Sequence, residues 1–141
     1  MKFLTDQQIA DIHERLMARD GGLPGYRQGA SLGAVLERVR NLIRFGGRRC
    51  ADPEFIAAMA TFALSIGQPF NDGNRRTALA CGLLVLRVND CPAEPEPVRL
   101  IRLIVDAASG TANQDDFIEG YLALLRATPG ATAQGLRSAC S

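Results

Sequence analysis

The stretch "GNRRTALACGLLVLRVND", residues 73–90, constrains the fold more than any other part of the chain. Its first turn is polar, and from Thr77 onward it is apolar on nearly every side. A helix without a polar face does not belong on a surface, so this segment is expected in the middle of a domain. The neighbours that would enclose it must come from the rest of the sequence.

Helical signals supply them. "TDQQIADIHERLMARDGG" carries Thr5 and Gln8 at capping-box spacing and an apolar stripe of Ile9, Ile12 and Leu16, stopped by Gly21 and Gly22. "SLGAVLERVRNLIRFGG" has Ser31 as N-cap and a stripe of Leu32, Val35, Leu36, Val39, Leu42 and Ile43. "DPEFIAAMATFALSIG" opens with Asp52 as N-cap and Pro53 at the first helical position. A further helix is expected from about Glu96 to Ala108, and "ANQDDFIEGYLALLRA" is the last. Strand-like alternation is scarce, so the expected fold is all-α, about six helices around a buried central one. One domain over residues 1–126 is expected, with a flexible tail over 127–141 that lacks an apolar stripe.

Composition narrows the function. A chain of 141 residues is enough for a single core, and 47% hydrophobic with 22% charged residues fits a globular protein. A net charge of +1 gives no overall basic field, so nucleic acid is not an expected partner. The first residues carry charge throughout, and the apolar run 78–86 is far short of a membrane span, so a cytoplasmic protein without membrane attachment is expected. Four cysteines without a CxxC pair, beside a single histidine, argue against zinc and read as free thiols.

The chemistry is concentrated in "SIGQPFNDGNRRTALA", residues 65–80. A helix starting at Gly73 turns unsatisfied backbone N–H groups and the positive end of its dipole toward the preceding loop, which makes an anion site. Gly73 admits a phosphate close to the backbone, Asn74 offers an amide, and Arg75 and Arg76 offer guanidinium donors. Asp72 offers an oxygen ligand for Mg²⁺, which commonly binds one or two carboxylates together with substrate phosphates. Asp-Gly turns and N-capping aspartates are also ordinary structural devices. The site reading gains weight from Pro69, which stiffens the loop, and from Phe70, which can anchor it in a core.

"QPFNDGNRRTALA" resembles the signature of the Fic/Doc superfamily, His-x-Phe-x-x-Gly-Asn-(Gly or Lys)-Arg, and within it the Doc (death-on-curing) toxin branch. "IADIHERLMARDGGLPGYRQGASLGAVLERV" resembles the Doc opening, and the likeness extends over about residues 3–126. The resemblance implies that Phe70 packs the loop and Asp72 binds Mg²⁺. It puts Gly73 and Asn74 in the anion hole and Arg76 on the phosphates of ATP. Arg75 is similar to the Lys of Doc proteins rather than the Gly of Fic adenylyltransferases. That implies transfer of a γ-phosphoryl group to a threonine of elongation factor Tu, which halts translation.

Gln68 stands where the family has the histidine that takes the proton from the attacking hydroxyl. An amide has no basicity near neutral pH, so an inactive or impaired enzyme is expected. His13, the one histidine, reads as structural and as the one candidate to stand in. Arg27 also matches a family position, while Arg48 and Arg49 read as a solvated basic turn. Two alternatives stand beside a toxin lacking its base: a pseudoenzyme that binds nucleotide or a partner, and a Fic-type adenylyltransferase. The resemblance implies an antitoxin as partner. A built-in inhibitory helix is not supported, because Asp115 stands where that motif needs Ser or Thr before Glu119 and Gly120.

Overall fold

The computed structural model describes residues 1–127, with Arg49 and Cys50 through their backbone alone. The tail expected beyond Ala127 lies outside the described residues. Six helices follow one another: α1 (Asp6–Asp20), α2 (Leu32–Phe45), α3 (Pro53–Gly67), α4 (Asn74–Val88), α5 (Pro97–Ala108) and α6 (Gln114–Arg126). A short 3-10 turn, Arg48–Ala51, leads into α3, and no strand forms among the described residues. The fold is all-α, as the sequence implies.

Local chemistry accounts for the starts. Thr5 accepts from the Gln8 N–H while the Gln8 side chain accepts from the Thr5 N–H, the reciprocal pair predicted for α1. Ser31 caps α2 through the Ala34 N–H, and Asp52 caps α3 ahead of Pro53. Glu96 caps α5 and Asn113 caps α6. Alone among the six, α4 begins with no side chain capping it.

The place in the middle is held by two helices. α2, α4, α5 and α6 all pack on α3, and α4 lies along it while also touching α1 and α5. The sequence put α4 at the centre, yet α3 is the more enclosed, buried continuously from Phe55 to Thr61. Its run of Ala57, Ala58 and Ala60 explains this, because small side chains let neighbouring helices approach from several directions.

The α3–α4 contact is close at Gly82, which is buried. A Cβ there would collide with the Thr61 hydroxyl and lie 2.7 Å from the Tyr121 hydroxyl. Gly82→Ala is therefore expected to destabilise the fold by about 1–3 kcal/mol through overpacking. A denaturation midpoint equal to that of the parent chain would show that the two helices part more easily than this packing implies.

Cys81 is a free thiol inside the core, and burial pushes its pKa up to about 12. Cys91 is disulfide-bonded, which corrects the free-thiol reading there. Spacing along a chain does not say which sulfurs a fold brings together.

Candidate functional site

The loop between α3 and α4 carries the predicted residues, and its shape is fixed from both sides. Gln68 ends α3 in the left-handed conformation, φ 44° and ψ 62°, with its N–H still donating to Leu64. Phe70 is only 2% exposed and stacks on the His13 ring at 3.8 Å between centroids, with planes 6° apart. Tyr26 stacks on Phe70 as well, at 5.1 Å. His13 donates from Nε2 to the Asp72 carbonyl over 2.7 Å, because a carbonyl can only accept. The ring is buried and committed to holding the loop, so His13 does not stand in as a base.

Asn74 closes the loop from the other side. Its Oδ1 accepts from the Phe70 N–H and its Nδ2 donates to the Phe70 carbonyl, both at 2.9 Å. The side-chain amide expected to reach an anion is thus engaged within the loop. What Asn74 leaves available is its backbone N–H in the first turn of α4. The first bond of that helix runs from the Thr77 N–H to the Gly73 carbonyl, so the N–H groups before it have no helical partner.

Gly73 has φ +75°, and a Cβ there would collide with the Met17 methyl group. Positive φ favours glycine at this point, whereas the Met17 methyl, at the end of a flexible side chain, can move aside. The Asp72 carboxylate accepts from the Gly73 N–H at 2.9 Å and, at 3.4 Å, from the Leu23 N–H. No cation pairs with it among the described residues, and its exposed oxygens keep coordination capacity.

These groups line a cleft of about 500 Å³. Gln68, Asp72, Gly73, Asn74, Arg75 and Arg76 all border it, and Ser65 contributes from α3. Phe70 lies behind the loop. Met17, Asp20 and Gly21, together with Ser65 and Asn71, line the cleft too and were not among the site residues read from the sequence. Asp20 accepts from Arg76 at 2.5 Å and from Arg19 through both carboxylate oxygens at 3.0 Å. The Arg19 guanidinium, aided by Arg76, holds the Asp20 carboxyl below its ordinary range. Arg75 makes no ion pair among the described residues.

Two guanidinium groups, an uncapped helix N-terminus and a free carboxylate around one cleft suit a polyanion accompanied by a cation. No cluster of three or more His, Cys, Asp or Glu forms among the described residues. The donor set fits Mg²⁺, which takes few protein ligands and completes its shell from phosphates and water. Arg48 is exposed and does not border the cleft. No described helix is long and apolar enough to cross a membrane.

Comparison with known proteins identifies the family. The model of the Fic/DOC family matches residues 3–86. The chain is 32% identical over 110 residues to the protein kinase doc of Escherichia phage P1, covering 78% of this chain and 85% of that protein. A match over more than half of the chain, together with a likeness running nearly the whole length of a characterised relative, places it: the chain belongs to the Fic/DOC family.

Proposed function

We propose that this chain is the Doc-like toxin of a toxin–antitoxin pair, with a cleft built for phosphoryl transfer from ATP to a protein hydroxyl. The observation that carries the reading is the meeting of the uncapped α4 N-terminus, Asp72, Arg75 and Arg76 around one cleft bordered by residue 68. The relative at 32% identity is named a protein kinase, which supports this reaction class. By the resemblance, the acceptor is a threonine of elongation factor Tu.

In this reading the first-turn N–H groups of α4 take up phosphate oxygens of ATP. Arg75 and Arg76 balance charge on the transferred group. Asp72 would hold Mg²⁺, which supplies charge neutralisation at the phosphates. The acceptor oxygen attacks the γ-phosphorus, the bond to the β,γ-bridging oxygen breaks, and ADP leaves. The hydroxyl proton must go to a base. Gln68 can hydrogen-bond the hydroxyl and orient it, but its amide cannot take the proton. Positioning and electrostatics therefore survive while proton transfer does not, which makes the chain an impaired kinase as it stands.

Gln68 also favours a second reading, a protein that binds nucleotide or partner and catalyses nothing. Growth separates the two. Induced expression of Gln68→His is expected to arrest bacterial growth, with co-expression of the adjacent reading frame restoring it; normal growth would favour the binding protein. The same co-expression should let the tagged chain retain its antitoxin through purification, and recovery of the chain alone would count against that partner. Arg75, where adenylyltransferases of the family carry glycine, weighs against nucleotidyl transfer.

A further inference from the structure

Arg27 lies in the irregular segment between α1 and α2, 41 positions before Gln68. Even so, it takes three consecutive carbonyls of the site. Its backbone N–H donates to Pro69 at 2.9 Å, its Nε to Gln68 at 2.9 Å and its Nη2 to Gly67 at 3.1 Å. Gly67 and Gln68 are the last residue and the C-cap of α3, where carbonyls lack helical partners and the dipole favours a cation.

The conformation held there is an uncommon one. Gln68 and Asp90 are the non-glycine residues with positive φ among the described residues. A left-handed backbone is disfavoured for a residue with a Cβ, and the following Pro69 pushes residue 68 further toward extended geometry. Something must hold it. The Gln68 N–H bond to Leu64 supplies one restraint, and the Arg27 fork supplies the others from outside the helix. On the far side of Phe70, Asn71 bonds through its N–H to Gly25 and through its side chain to Pro24, so one segment grips the loop at both ends.

We propose that Arg27 is a positioning residue. Its guanidinium fork locks the backbone at 67–68 in the left-handed turn and so sets where the residue-68 side chain stands in the cleft. The inference rests on the reading of that cleft as a phosphoryl-transfer site, since there the placement of residue 68 becomes the placement of the proton acceptor. A lysine ammonium keeps the charge but presents no planar fork for two carbonyls.

Two measurements on Arg27→Lys and Arg27→Ala test this, both in the Gln68→His chain. The first is the backbone ¹³C chemical shifts of residue 68, which report left-handed or extended geometry whether or not the protein is active. Both variants are expected to move residue 68 toward extended values, and adding Gly at 68 instead of His should leave Arg27→Lys with no such displacement. The second is steady-state transfer: kcat is expected to fall about 10- to 100-fold, as for a misplaced catalytic group, with the KM for ATP changed less than about 2-fold.

Unchanged residue-68 shifts in folded Arg27→Lys overturn the proposal. So does a kcat equal to the parent's, because the charge alone would then suffice. Should Gln68→His transfer no phosphate at all, the functional reading falls, and the shifts alone still decide whether Arg27 holds the turn.

Discussion

Gln68→His is expected to raise the rate of phosphoryl transfer by about 10²–10⁴-fold, the range that a positioned general base contributes. On the proposed reading, Asp72, Arg75 and Arg76 already border the cleft, and the proton acceptor is the one part that Gln68→His adds. The backbone favours the change. Histidine tolerates positive φ better than most residues with a side chain, so the turn at φ 44° should accept it without loss of stability. Residue 68 is exposed, and a histidine there would not pay a burial cost when charged. Because the neutral ring is the active form, the rate should rise with pH through about 6.5 and level off above it. The unsubstituted chain, with glutamine at 68 and its single histidine buried on the loop, should show no such rise. Single-turnover rates between pH 5.5 and 8 for the two chains check the magnitude and the sign together.

The second large effect belongs to Arg76. In the Gln68→His background, Arg76→Ala is expected to lower transfer by about 10²–10³-fold, the cost of removing one preorganised donor from a developing charge. The fold should barely register the change. Arg76 is 59% exposed, and an exposed ion pair such as its contact with Asp20 contributes little to stability. A thermal midpoint close to the parent's, combined with the loss of rate, is the expected pattern. A large fall in the midpoint with little loss of rate would instead make the Asp20–Arg76 pair a structural fastening of α1 to α4.

How far the sequence carried this account depends on the range of the interactions. The starts of the helices were legible because their causes are local: Thr5 with Gln8, Ser31 with Ala34, and Asp52 before Pro53 are neighbours in the chain. The residues from Gln68 to Arg76 were legible as a candidate site because they are contiguous, and the fold sets most of them around one cleft. The supports of that loop were hidden. Met17, Asp20 and Arg27 act on it from α1 and the segment after it, and only the packing of α1 on α4 brings them near. A signal existed for Arg27, which matches a family position, but nothing in the sequence says that its fork falls on two carbonyls.

Asn74 teaches a different lesson. Its amide was a reasonable phosphate donor by residue type, yet the folded loop presents both Phe70 backbone groups to it at hydrogen-bonding distance. A backbone group four residues away competes for a side chain and leaves no mark in the sequence. The balance between α3 and α4 at the centre was hidden for a similar reason. The lack of a polar face singles out α4, whereas the closeness of neighbouring helices is governed by the alanines of α3.

The central claim is that this cleft transfers the terminal phosphoryl group of ATP and lacks only its base. The most direct measurement incubates purified elongation factor Tu with the unsubstituted chain or with Gln68→His, using ATP labelled at either the α- or the γ-phosphate. The account predicts label on elongation factor Tu from γ-labelled ATP with Gln68→His, at least 100-fold less with the unsubstituted chain, and none from α-labelled ATP. Label arriving from the α-phosphate, or equal γ-label from both chains, would contradict it.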